Sequence, residues 1–83
     1  MIIQVTQQHI DFGLRGSCSS DPLSLAMLDA GLSEPWVSPA YLRWKKDGKT
    51  YFHPIPENVL QFIKRFDTGI SAAPFEFSLD LSE

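Results

Sequence analysis

The sequence has a single cysteine, Cys18, in 83 residues. One thiol cannot close an internal disulfide, and it is too few for a cysteine zinc site. Long hydrophobic runs are also missing: no stretch approaches the roughly 20 apolar residues of a membrane-spanning helix. The amino terminus lacks the charged and apolar regions of a signal peptide. Glycines are few, and Gly13 and Gly16 have neither the Lys-Ser/Thr of a phosphate loop nor the third glycine of a dinucleotide fingerprint. No His-x-x-x-His or His-Glu-x-x-His spacing offers a metal site. No repeat, low-complexity tract or linker divides residues 1–83, which are expected to form one domain. From these absences a cytoplasmic domain without cofactor or metal is expected. Its core has to be held by packing alone, at a length where that is marginal.

Aromatic side chains are plentiful, with six Phe, two Tyr and two Trp, and their area helps so short a chain to build a core. The net charge is −3, adverse to a general nucleic-acid binder, but it is unevenly spread. Residues 1–40 carry −3, 41–53 carry +3, 54–66 carry +1 and 67–83 carry −4. A basic central segment therefore sits between acidic ends, either as a dipole or as charges that pair in the fold.

The pattern along the chain predicts an α+β fold, a small and mainly antiparallel sheet with helices on one face. Strands are expected near 2–6, 35–38, 41–46, 49–54 and 75–81, and helices near 7–14, 22–30 and 57–67. Thr6 reads as the N-cap of the first helix and Asp21, followed by Pro22, as the start of the second. Gly31 and Gly69 stand where helices end in a left-handed residue. The third helix puts Val59, Leu60, Phe62, Ile63 and Phe66 on one side, the pattern of a surface helix on a core. Phe75, Phe77, Leu79 and Leu81 alternate on one buried strand face. The first and last strands are expected to pair near the sheet centre.

Asp47-Gly48 between two strand-like runs is a strong hairpin signal, since a type I′ turn needs positive φ at both central positions. The register it implies pairs Lys46 with Lys49, Trp44 with Tyr51, Arg43 with Phe52 and Leu42 with His53. The hairpin mixes aromatic and basic residues, as surfaces do that stack bases and neutralise phosphates. In a sheet, however, half of such aromatics face the core. The helix at 22–30 is apolar nearly all round. Either the first helix wraps it, or it carries an exposed patch at Leu25, Leu28 and Leu32 for self-association or a partner. Cys18, just ahead of a helix start, has the placement of an activated thiolate with His9 or His53 as base. Nothing in the spacing demands that assembly, so no catalytic residue is assigned and no enzyme activity is expected.

Three segments carry a resemblance to a known group. They are Val5-Thr6 with His9-Ile10, Cys18-x-x-Asp21-Pro22-Leu23 with Leu25-Ala26, and Phe62-Ile63-Lys64-Arg65-Phe66-Asp67-x-Gly69 leading to Pro74-Phe75-x-Phe77. With these the chain resembles small, largely uncharacterised proteins of phages and prophages. Members of that group often have a second cysteine where this chain has Asp21, so no paired thiol is implied here. The resemblance implies a phage protein acting inside a bacterial cell. Small non-enzymatic phage proteins of this size are often inhibitors of host defence.

The expected function is thus that of a binding protein directed at a host protein complex, an anti-CRISPR or other anti-defence inhibitor. Trp, Tyr and Arg dominate interface hot spots. The expected partner-binding residues are Trp36, Tyr41, Arg43, Trp44, Lys45, Lys46, Lys49 and Tyr51. A homodimer through the 22–30 helix is a further expectation. The alternative is a nucleic-acid or nucleotide-binding module using the hairpin at 41–53. No membrane association is expected.

Overall fold

The computed structural model describes residues 1–79. In chain order the elements are β1 (Ile2–Val5), α1 (Gln7–Phe12), α2 (Pro22–Asp29), β2 (Ser33–Val37), β3 (Tyr41–Lys46), β4 (Lys49–Pro54), α3 (Glu57–Asp67) and β5 (Phe75–Ser78). The fold is α+β, as the sequence pattern implies. The single sheet expected from sequence is corrected to two: β1 pairs with β5, and β2, β3 and β4 form a separate antiparallel sheet in that order. The helix α2 packs against both β1 and β2, so apolar side chains rather than ladder hydrogen bonds join the two sheets.

The chain ends of the described region meet in the smaller sheet. Ile3 stands opposite Phe77 and Val5 opposite Phe75. The alternation of β1 buries Ile3 and Val5 and leaves Ile2 and Gln4 exposed. Leu79 is buried, and its N–H donates to the Met1 carbonyl at 2.8 Å, continuing the pairing past β5. Leu81, expected on the same face, lies outside the described residues. Phe62 and Phe66 of α3 stack at 6.1 Å, and Phe62 meets Phe75 at 4.8 Å. These contacts seat the apolar side of α3 on β5.

The helix starts follow the capping logic of the sequence. The Thr6 side chain accepts from the His9 N–H, and His9 returns a ring nitrogen to the Thr6 N–H, closing a capping box. Because the Thr6 N–H can only donate, Nδ1 accepts and the ring proton is assigned to Nε2. Nε2 donates to Asp29 at 2.5 Å, tying α1 to the end of α2. At the start of α2, Asp21 accepts from the Ser24 N–H at 2.7 Å, with Pro22 in the first turn. α2 stops before Gly31, whose φ is +96°. α1 is shorter than expected, ending at Phe12, because Leu14 turns away and donates its N–H to Ser20. Leu32 is 2% exposed, inside the core.

Asp21 is buried, and this makes its cap sensitive to pH. Burial pushes its carboxyl up from 3.8 to about 6, with the charge of Asp67 adding, against the lowering effect of the Ser24 hydrogen bonds. A carboxyl raised by folding favours the native state in its protonated form. Its contribution is full below about pH 4 and is lost as pH rises through about 6. Asp21→Asn keeps an acceptor for Ser24 and cannot ionise. The variant is expected to exceed the parent in stability at pH 7.5 by about 1–2 kcal/mol, with little or no gain at pH 4. Urea midpoints of the two proteins at both pH values check this, and a difference independent of pH would refute it.

Candidate functional site

The three-stranded sheet holds the residues the sequence singles out. Asp47 and Gly48 have φ of 54° and 78°, the type I′ geometry, and every pair implied by the Asp-Gly turn is found in register. This register decides which aromatics are core and which are surface. Leu42 and Trp44 of β3 point inward and are fully buried, with Tyr51 half-buried and stacked on Trp44 at 5.8 Å. Tyr41, Arg43 and Lys45 lie on the opposite side.

Across that outer side runs a row of three residues. Trp36 is opposite Arg43 on one side, and Phe52 is opposite Arg43 on the other. The Arg43 guanidinium lies 5.2 Å from the Trp36 ring centroid, within cation–π range. Tyr41 packs against Phe52, with ring centroids 5.5 Å apart and planes tilted by 55°. Trp36 is 37% exposed and Phe52 64%, so the row is open to a partner while Arg43 is held in place by its neighbours. Lys45 contacts Glu34 at 3.6 Å, an exposed pair of little energetic weight.

Trp36 reaches this row because β2 is irregular. Ser33 pairs with Lys45 and Trp36 with Arg43, so β2 carries one residue more than β3 between these points. The extra residue shifts the alternation, burying Pro35 and Val37 and turning Trp36 outward. Glu34 sits at φ 48° in the same stretch, an uncommon conformation for a residue other than glycine.

Several sequence expectations are thereby corrected. Trp44 cannot touch a partner in this fold, because the hairpin register places it at 0% exposure in the core. Tyr51 is partly covered by stacking on it. Leu32 is excluded from self-association by its burial, whereas Leu28 is 47% exposed and Leu25 half-buried. Phe12, 70% exposed, lies beside both, and the three line one shallow depression with Gln8, His9 and Asp29. Phe52 belongs with the outer row although it was not among the expected site residues; its pairing with Arg43 was the available signal. Lys46 and Lys49 flank the turn, and neither is ion-paired among the described residues.

Both histidines have structural partners, and Cys18 is tied into the fold through its backbone. The Cys18 carbonyl accepts from the Val37 N–H and the Ser24 hydroxyl. His9 is bonded to Thr6 and Asp29, and His53 Nδ1 donates to the Pro54 carbonyl. Among the described residues no three His, Cys, Asp or Glu side chains gather as a metal site, and no helix is long and apolar enough to cross a membrane. No family model, curated protein or solved structure matches the chain.

Proposed function

We propose that this chain is a non-enzymatic binding protein that engages a host macromolecule, foremost a protein complex, through the outer face of the β2–β3–β4 sheet. The observation supporting this most is the exposed row of Trp36, Arg43 and Phe52, in which the residue types of interface hot spots are pre-ordered by cation–π and cross-strand contacts. The resemblance to phage proteins supplies the setting, the cytoplasm of a bacterial host, and the activity, inhibition of an antiviral defence system. Nucleic acid is disfavoured as partner because two of the hairpin's aromatic rings are withdrawn from stacking on bases, Trp44 being buried and Tyr51 stacked on it.

The test is capture of a partner from bacterial lysate, with and without nuclease, by the parent and by the Trp36→Ala/Arg43→Ala double variant. The double variant is expected to bind at least about tenfold more weakly while its unfolding stays cooperative. Full capture by the double variant would remove the site, and capture abolished by nuclease would transfer the reading to nucleic acid. Self-association is proposed for the separate apolar area of Phe12, Leu25 and Leu28. Sedimentation showing only monomer at high concentration would rule it out.

A further inference from the structure

The second open feature of the three-stranded sheet is an edge rather than a face. In a two-residue hairpin the pair flanking the turn exchanges both backbone hydrogen bonds, and bonded pairs then alternate along the ladder. Lys46–Lys49, Trp44–Tyr51 and Leu42–His53 are therefore the bonded pairs. The Ile55 N–H bonded to the Ala40 carbonyl at 3.4 Å continues the same parity beyond β4. The backbone groups of Thr50 and Phe52, and the Pro54 carbonyl, consequently point away from β3. Thr50, Phe52 and Pro54 are all exposed, and β4 packs chiefly on β3. The other edge of the sheet is blunted, since β2 contains Pro35 and a bulge, and the Val37 N–H is taken by Cys18. Among the described residues the β4 edge thus presents the N–H and C=O groups of Thr50 and Phe52, two donors and two acceptors, while the Pro54 carbonyl beyond them is already taken by His53 Nδ1.

Charge narrows what can pair with this edge. The hairpin at 41–53 carries +3. Lys49 lies on β4 itself, with Lys46 beside it across the turn. A second copy of the chain would set one basic hairpin against another, which like-charge repulsion disfavours. A nucleic-acid strand could accept from the two N–H groups, but its phosphates offer no donor to the carbonyls between them. An extended peptide segment rich in acidic residues satisfies both the hydrogen-bonding row and the lysines, and its apolar residues would lie beside Phe52.

We infer that β4 receives an extended acidic segment of a partner protein as a fourth strand, paired at Thr50 and Phe52 and steered by Lys46 and Lys49. This partner chemistry rests on reading the sheet as the binding element, and it extends that reading from the outer face to the edge.

The test uses the full chain and a labelled synthetic peptide of about eight residues alternating Glu and Val, a length typical of a strand. Controls carry Lys in place of Glu, or Pro in place of alternate Val, and a labelled oligothymidylate is a further control. The acidic peptide is expected to bind, more weakly at high salt, and to protect the Thr50 and Phe52 amides from hydrogen exchange. Thr50→Pro removes one outward donor without touching the β3 ladder, and it is expected to lower affinity at least about tenfold. Lys49→Glu is expected to do the same. The amide-exchange measurement needs no variant, so it decides the matter even if Thr50→Pro misfolds. Equal binding of acidic and basic peptides, unprotected Thr50 and Phe52 amides, preference for the oligothymidylate or no peptide binding would each overturn the inference. If Thr50→Pro captures the cellular partner like the parent while Trp36→Ala/Arg43→Ala does not, the edge is wrong and the outer-face reading stands. If both variants capture it fully, the outer-face reading fails as well.

Discussion

Replacing Trp44 with alanine is expected to cost about 3–5 kcal/mol, the range for a large aromatic removed from a core. A domain of this length has in all roughly 4–12 kcal/mol of stability, so the loss takes from about a quarter to all of it and the variant melts at a markedly lower temperature. The expectation follows from the full burial of the ring, its stacking on Tyr51 and its place beside Leu42 in the same inward row of β3. One detail moderates the effect for a conservative change. Trp44 Nε1 is buried without a hydrogen-bond partner among the described residues, and an unsatisfied buried donor costs about 1–3 kcal/mol. Trp44→Phe gives up volume but removes that donor, so its net cost is expected to be well below that of alanine, about 1–2 kcal/mol. Urea unfolding followed by circular dichroism ranks the three proteins. In Trp44→Phe the remaining tryptophan, Trp36, reports the sheet surface separately. Equal stability of Trp44→Ala and the parent would place this ring outside the core.

Gly13→Ala is expected to destabilise by about 2–3 kcal/mol, as overpacking does, lowering the melting temperature by roughly 10–20 °C for a domain of this size. The reason is contact rather than backbone conformation. Gly13 has φ −70° and ψ 150°, values any residue adopts. A Cβ there would lie 2.5 Å from Pro22 Cδ and 2.6 Å from Pro22 N, far inside the 3.5–4.0 Å of ordinary carbon contacts, on the order of the van der Waals optimum. Relief would require α1 and the start of α2 to separate. That movement would strain the Gly13 N–H bond to His9 and the Leu14 N–H bond to Ser20. Gly16→Ala is the contrasting control: φ is +72° and the space is open, so its cost is only the left-handed backbone penalty, roughly 1–2 kcal/mol. Thermal melts of both variants decide this, and a Gly13→Ala protein as stable as the parent would show that the close approach is not rigid.

Gly13 also illustrates how far local reading carries. Glycine is a poor helix former, and α1 ends just before Gly13. Its tighter requirement is set by Pro22, nine positions on, and a contact between two helices leaves no mark in local pattern. The same division runs through the candidate site. The Asp47-Gly48 dipeptide determines the hairpin and its register, because few residue pairs tolerate two consecutive positive φ angles. The register in turn separates Trp44 from Arg43, yet it leaves open which side meets the core, since neither face is purely apolar. Burial of one side in the core shared with Leu23, Met27 and Val59 decides that question and moves Trp44 from the expected surface into the interior.

Local signals suffice for the capped starts of α1 and α2, the hairpin and the amphipathic α3. Each of these depends on interactions within a few residues or on strict alternation. A lone cysteine likewise excludes a disulfide within these 83 residues. Tertiary structure alone decided that the strands form two sheets rather than one, because α2 buries apolar side chains against both and leaves no ladder between them. It also decided the outward turn of Trp36, which depends on one extra residue in β2, and the open edge of β4, which no other element covers among the described residues. Such features arise from the mutual placement of distant segments. The ten aromatic residues were legible in composition, but only packing divided them between the core and the exposed row of Trp36 and Phe52 beside Arg43.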